Sequence, residues 1–563
     1  MFYFVRHLEG VVKVLPPATG IGIGCGIGEF NFESAYSKAL DMSYREHNPP
    51  CPRLVGYDPF YDLPMDHLAR LVEEVVEESL ELPAKSAGPG QPGFDPRLCA
   101  KVLVYGYATG VRSSRQLEKL CDESLPYLFL TRGDTPSYRT LCSVRVEQAD
   151  ILERVWVGLF SVARECGMHR LGRIVVDSSK LRANTGSESV LERDEYAEMK
   201  SALKSILAEA EATDKREDSE GYDGETRTGK RVETLQMRDI IRKVRKGLSH
   251  KERESSDVNE QDDGYTPTED KDSVQLTKRM VKRAQEAVKR IEEAEAEGLK
   301  HLSLTDPDAR MMFGGVEKKV HECHSFEVAI DRDCGLLVAA EVTQVGPDQN
   351  RLTSLVESAK RNEPCGIKAV DGDSGYYRSA DVAALINSGV DVCIPDPYTA
   401  SELHRGLKIG SFRLSAVVFE YDSENDRYVC AEGNTLTFRG RKKMRGDEVR
   451  AYQASRGCRL CPRYSECISS KNAKAKYKQL IVRDGCEELA AARDKFNDPE
   501  HRQRYRDRGS EVETVFGFVR GTLGYGRWLL RGSERVKCEG SLMRLGYQVR
   551  KVHQRSRRGQ VFG

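Results

Sequence analysis

The sequence predicts a mixed α/β chain: a helical N-terminal region, then a mixed-sheet core interrupted by a long helical insertion. Three observations carry this. Leu68, Leu71, Val72, Val75 and Val76 recur at helical spacing early in the chain. Short β-branched runs appear later, at 173–176, 326–330, 336–342, 367–370 and 390–395. Between the first and second of these runs lies a charged stretch, 189–302. Within it Val274, Val281 and Val288, interleaved with Ala284 and Ile291, keep the seven-residue spacing of packed helices.

At 563 residues the chain exceeds the size at which one core usually keeps growing, so two or three domains are expected. Residues 1–57 read as a leader of unknown role. Gly and apolar residues alternate over 20–28, without the spacing of a dinucleotide site. After the Gly/Pro linker 87–93, Asp95 is placed to cap a helix that begins at Pro96 and continues through Leu98, Val102 and Tyr105. Gly110 ends it, Ser113 or Ser114 can cap the next helix over 116–121, and Pro136-Ser137 precedes another. Short helices joined by tight turns and bearing Arg112, Arg115, Lys119 and Arg139 fit a helix-turn-helix-like DNA-binding unit over 58–165. A plain helical bundle is the other reading. Within the insertion, 252–271 is acidic and polar enough to be a loop. The runs 326–330 and 336–342 read as a hairpin across 331–335, and 381–387 as a helix. Strand, hairpin, strand, helix and strand, followed by a late helix carrying Glu513, is the order of an RNase-H-like fold. It is expected over 166–563, with the insertion at about 186–303 and a cysteine-rich subdomain at about 428–470.

Charged residues make up 31% and hydrophobic ones 39%, and no run of about 18 apolar residues occurs, so no membrane span is predicted. The N-terminus lacks the pattern of a secretory signal, and sixteen scattered cysteines suit free thiols in a reducing cytoplasm. Net charge is zero, with 88 basic and 88 acidic residues, which by itself argues against a nucleic-acid partner. The basic residues are uneven, however. They gather at Arg439, Arg441, Lys442, Lys443 and Arg445, and again at Arg550, Lys551, Arg555, Arg557 and Arg558, and local patches set the field that a phosphate backbone meets.

Three carboxylates stand out. Phosphoryl transfer between DNA strands uses two divalent cations roughly 4 Å apart, and Mg²⁺ prefers carboxylate and water oxygens. Asp177 ends an apolar run in Val175-Val-Asp-Ser-Ser-Lys-Leu-Arg-Ala-Asn184, with Lys180 and Arg182 following. Asp373 lies in Asp371-Gly-Asp-Ser-Gly-Tyr-Tyr377, where small neighbours allow a sharp turn and Asp371 is a competing choice. Glu513 follows Tyr505 and Arg508 and precedes Arg520, so it has guanidinium groups on both sides.

Together these segments resemble the bacterial insertion-sequence transposases with a DDE catalytic domain. Their late signature of Tyr, Arg, Val-Glu-Pro-Val-Phe-Gly and Lys is matched by Tyr505, Arg508, Val512-Glu513-Thr514-Val515-Phe516-Gly517 and Arg520, with Thr514 for the Pro and Arg520 for the Lys. Their Ala-Asp-Ala/Ser-Gly-Tyr is matched by Gly372-Asp373-Ser374-Gly375-Tyr376, which favours Asp373 over Asp371. The resemblance runs from about residue 58 to about 549. Tyr547-Gln548 stands where the family usually has Asn.

The resemblance implies Asp177, Asp373 and Glu513 as catalytic ligands of Mg²⁺ or Mn²⁺. Lys180, Arg182, Tyr505, Arg508 and Arg520 would position DNA phosphates. It also implies double-stranded DNA as substrate and a homodimer or larger assembly at the paired ends. A repurposed DNA-binding protein and a nuclease that cuts without joining are the rival functions.

Cys458-x₂-Cys461-x₅-Cys467, with Cys430 upstream, offers four thiolates for one Zn²⁺ site. Reduced thiols under a loop are the alternative. His321, Cys323 and His324 alternate faces on a predicted strand and do not read as a second site.

Overall fold

The computed structural model describes residues 59–80, 93–147, 149–186, 189–220, 241, 245, 278–314, 319–346, 348, 350–363, 365–406, 419–444, 447–468, 474–482 and 486–561. The leader, most of the Gly/Pro linker, the acidic stretch 252–271, Val274 and Arg445 lie outside them. Apart from Gly93, the described residues belong to one compact unit.

The N-terminal helices form where the apolar period predicts them. Helix α1 (Leu68–Ser79) buries Leu68, Val72, Val75 and Val76. In α2 (Pro96–Ala108) Pro96 takes the first turn, where its missing N–H costs nothing, and the Asp95 side chain caps Arg97 N. Four more helices follow: α3 (Ser114–Glu123), α4 (Leu125–Thr131), α5 (Tyr138–Glu147) and α6 (Ala149–Glu165). Lys101 of α2 is fully buried and meets Glu73 at 2.8 Å and Glu77 at 2.5 Å, so α1 is fastened to α2 by charge as well as by packing.

Six strands make the central sheet. Strand β1 (Arg173–Arg182) pairs antiparallel with β5 (Lys319–Asp331), which pairs antiparallel with both β4 (Arg310–Gly314) and β6 (Leu337–Thr343). On its other edge β1 pairs in parallel with β7 (Ala369–Gly372), and β7 with β8 (Asp391–Cys393). The order β6-β5-β1-β7-β8, with three antiparallel strands and then two parallel ones, is that of an RNase-H-like sheet. Helices α9 (Leu352–Lys360) and α10 (Ser379–Asn387) make the crossovers. Two predicted strands need correction. The run 173–176 continues to Arg182, because β5 supplies backbone partners beyond the apolar residues. The run 367–370 is displaced to 369–372 by pairing with β1.

The insertion leaves this sheet through a two-stranded ribbon, β2 (Val190–Glu192) with β3 (His301–Ser303). Between them run α7 (Tyr196–Glu220) and α8 (Lys278–Glu297), which meet through Met199, Leu203, Ala284, Val288 and Ile291. Lys200–Glu295 (2.6 Å) and Lys204–Glu292 (2.9 Å) cross the same seam. After α11 (Pro397–His404), a second sheet has the order β13-β12-β11-β10-β9: β9 (Glu420–Asp422), β10 (Arg427–Val429), β11 (Thr435–Met444), β12 (Asp447–Ala454) and β13 (Gln479–Val482).

The chain closes with α12 (Cys486–Asp494), α13 (Pro499–Gly517), a π-helical turn at Phe518–Thr522 and α14 (Ser533–Val561). The last helix returns to the first ones. A Cβ at Gly546 would come 2.8 Å from the Tyr107 carbonyl carbon, so only glycine lets α14 approach the α2 backbone so closely. Arg112, expected on a DNA-facing surface, is drawn into this joint. It donates to Arg527 O at 2.7 Å, reaches Glu539 at 3.2 Å and stacks over Tyr525. Gln548, placed where the family usually has Asn, accepts from Leu337 N at 3.0 Å and pairs the first residue of β6.

Candidate active site

The parallel register decides which acids meet. Val176 is level with Gly372, so one step further sets Asp177 level with Asp373 on the neighbouring chain segment. Asp373 Oδ1 accepts the Gly375 N–H at 2.8 Å, and a Cβ at Gly375 would stand 2.9 Å from that oxygen, so a larger residue there would displace the carboxylate. Burial pushes the Asp177 carboxyl up to about 6, and the nearby Asp373 adds to this. The Ser178 N–H (2.7 Å) and Arg508, whose Nη1 lies 3.6 Å from Asp177, pull the other way.

Arginine side chains surround the pair. Arg508 stacks over Tyr505 at 5.2 Å, Tyr505 rests edge-on against Phe496, and the Arg508 Nε and Nη1 atoms are buried without a hydrogen-bond acceptor among the described residues. Arg520, on the π-helical turn, donates to Ser179 Oγ, and burial pushes its guanidinium down while Asp177 raises it. Lys180 is held by Ser325 Oγ at 2.9 Å and Asp348 at 2.6 Å. Arg182 contacts the His321 ring at 2.9 Å.

Two acids beside the pair were not singled out from the sequence. Asp348 accepts from Ser178 Oγ at 2.8 Å as well as from Lys180, and its Oδ2 lies 3.3 Å from the position of a Gly375 Cβ. Buried Glu327 is paired with Arg351 at 2.8 Å. Beneath them Tyr376 is fully buried, with no partner for its hydroxyl among the described residues. Burial, together with Asp348, Glu327, Asp177 and Asp373, holds it well above the usual phenol range. The signal for Asp348 was topological. Strand β6 runs parallel to β1 and β7, so the Gly-Pro-Asp turn that follows it emerges at the same end of the sheet.

Asp371 is buried and held between Arg332 and Arg504, the latter through Nε at 2.9 Å. Glu513 lies on the exposed side of α13 and is not drawn to the aspartate pair. Among the described residues no three His, Cys, Asp or Glu side chains are gathered closely enough to share a metal ion.

Cys430, Cys458, Cys461 and Cys467 line one cavity of about 320 Å³ on the second sheet. Burial raises the Cys467 thiol, Lys478 opposes this, and the three other thiols add to the rise. Thirteen cysteines among the described residues, these four included, are free thiols. No helix among the described residues is long and apolar enough to cross a membrane.

The class that the fold defines is that of RNase-H-like α/β proteins, here with paired aspartates at the ends of adjacent parallel strands. Two family models match the chain. One is described as a transposase DDE domain and covers residues 429–553; the other is described as a transposase domain and covers 59–147. Both are transposase models, and the likeness is to DDE transposases of the insertion-sequence type. The first match includes Glu513, Arg508, Arg520 and the cysteine cluster; Asp177 and Asp373 lie outside both matches. A comparison with curated proteins finds no match.

Proposed function

We propose that the chain binds the terminal inverted repeats of an insertion sequence as double-stranded DNA, hydrolyses a strand to free a 3′-OH, and directs that hydroxyl at a target phosphodiester. The observation that carries this reading is the Asp177–Asp373 pair: two level carboxylates with, among the described residues, no basic group in contact closer than Arg508 at 3.6 Å. Such a pair suits Mg²⁺ or Mn²⁺, and the N–H groups of Arg508 that have no acceptor among the described residues suit a phosphate beside it. Asp177 and Asp373 would hold the metal, and Glu513 would complete a site once DNA is bound. A divalent cation so held supplies charge neutralisation at the reacting phosphate.

The chain's own side chains do the rest. Arg508 and Arg520 orient the phosphate, Lys180 with Asp348 braces the floor of the site, and Tyr505 keeps Arg508 in place. Arg182, at the strand end, meets the flanking backbone. Rate enhancement comes from positioning and charge, without a covalent protein–DNA intermediate. Paired ends call for a homodimer or larger assembly, working in the cytoplasm on nucleoid DNA.

A labelled end-DNA strand-transfer assay with Mg²⁺ tests the proposal, and joined products are the expected result. Cutting without joining would make the chain a nuclease. Binding without cutting would favour a repurposed DNA-binding protein, the reading that the exposed Glu513, apart from the aspartate pair, supports best.

A further inference from the structure

The second sheet carries a cluster that the proposed chemistry does not use. Its four thiols come from three separate stretches: Cys430 from the turn after β10, Cys458 and Cys461 from the loop after β12, and Cys467 from the short helix Tyr464–Cys467. The turns that present them are closed by backbone hydrogen bonds, Gly433 N to Cys430 O at 2.8 Å and Cys461 N to Cys458 O at 3.0 Å. N–H groups already point at two of the sulfurs. Asn434 N donates to Cys430 Sγ at 3.3 Å, and Lys478 N donates to Cys458 Sγ at 3.4 Å. The Asn434 side-chain amide approaches Cys458 Sγ at 3.8 Å. Amide donors aimed at sulfur are the outer contacts that stabilise thiolate charge in a metal site. The apolar core of this sheet is small: Phe419, Tyr428, Leu436, Tyr452, Leu480 and Val482 are its large buried residues. Sheets with so little core commonly rely on a staple.

We propose that Cys430, Cys458, Cys461 and Cys467 bind one structural Zn²⁺ that fastens the β9–β13 sheet. The ion enters the cavity that the four thiols line, each thiol releases its proton to solvent, and four sulfurs satisfy the tetrahedral preference of zinc. The thiols are not yet at ligand spacing. Each sulfur moves by rotation about one side-chain bond, so the remaining approach needs rotamer changes on turns that are already formed. Carboxylate-seeking Mg²⁺ has no place in such a sulfur set, so this site is distinct from the aspartate pair in chemistry as well as position.

Metal analysis of the full chain, purified without added zinc, is the first measurement, and about one zinc per chain is expected. Cys461→Ser and Cys467→Ser should each lose that zinc, while Cys365→Ser, at an exposed thiol elsewhere, should keep it. Cobalt added to chelator-stripped protein should give the intense sulfur-to-metal absorption of a four-thiolate site. Stripped wild-type protein that takes up neither zinc nor cobalt, with all four thiols open to alkylation, would overturn the proposal. So would zinc retained in full by both serine variants. None of these readouts depends on DNA cleavage.

Discussion

Two charged clusters lie one turn apart along α13, and they are built in opposite ways. At Arg504, acids and bases are matched in contact. Asp371 is gripped by Arg332 and Arg504, Glu511 pairs with Arg332 at 2.7 Å, and Asp391 is shared by Arg504 and by Lys495 at 2.7 Å. Burial costs the Asp391 carboxylate, but its Lys495 and Arg504 hydrogen bonds outweigh that cost and leave it below its ordinary range. At Arg508 the balance is reversed. Asp177 faces Asp373, the nearest guanidinium nitrogen is 3.6 Å away, and the carboxyl rises to about 6. The same helix therefore carries one cluster that holds the sheet together and one with charge left to give to a ligand. Buried acids of the first kind are costly to remove because their partners are then stranded. Acids of the second kind are costly to keep, which is how a site pays for function.

The sharpest way to break this contrast is to cut each cluster. Asp177→Ala and Asp373→Ala should each lower strand cleavage by roughly a thousand-fold or more, in the range of an essential group, with the thermal midpoint at or above wild type. Glu513→Ala should match them if DNA binding brings that carboxylate in, and full activity in all three would remove the catalytic reading. Asp371→Ala should act on the fold instead, costing about 3–5 kcal/mol in denaturant unfolding as Arg332 and Arg504 lose their acid. A dead but fully stable Asp371→Ala protein would transfer the ligand role to Asp371.

Arginine-to-lysine exchanges refine the comparison. Arg508→Lys should lower cleavage by about ten- to a hundred-fold at unchanged melting temperature, because lysine cannot keep the planar stack on Tyr505. Arg504→Lys should lower the melting temperature with the smaller loss of rate. Equal behaviour of the two variants would erase the distinction.

The smallest effect calibrates the rest. Glu363 crowds Asp331 in a place where no cation is proposed. Burial pushes its carboxyl up to about 7, Asp331 adds to this, and Arg170 and the Gly172 N–H oppose it. Its folded value lies above its ordinary 4.5, so the native state holds the proton across that window. Stability is then greatest below the window and falls as pH rises through about 7. Glu363→Gln should exceed wild type by about 1–2 kcal/mol at pH 8 and match it at pH 4, as read from urea unfolding at both pH values. A gain of equal size at both would mean that packing, not titration, is responsible.

Much of this was legible in the sequence because it is local. Caps, apolar period and turn residues located α1, α2 and the β5–β6 hairpin, and the small residues after Asp373 read as the turn that the chain makes there. What was hidden depends on partners far along the chain. Strand β1 reads as ending at Val176, since Ser178, Ser179 and Lys180 are polar, yet β5 carries it on to Arg182. Asp371 and Asp373 cannot be told apart by chemistry until Arg332 and Arg504 close on one of them. Asp348 joins the site only through the direction of β6. Arg112 carries the charge of a DNA contact and spends it on Glu539, 427 positions away by residue number.

That last contact belongs to α14, and it sets a timetable for the molecule. The backbone of α2 packs against Gly546, and Tyr525 donates to Tyr107 O, so the first helices have no complete core until the final helix exists. A ribosome adding about 5–20 residues per second reaches α14 tens of seconds after it finishes α2. Through that interval the N-terminal helices lack the contacts that α14 makes with them. A chain cut short before Ser533 should therefore leave α2 amides exchanging rapidly with solvent, and a fragment that protects them would show that the first helices can mature alone. The same helix that completes the finished protein therefore keeps incomplete copies from holding a formed N-terminal bundle.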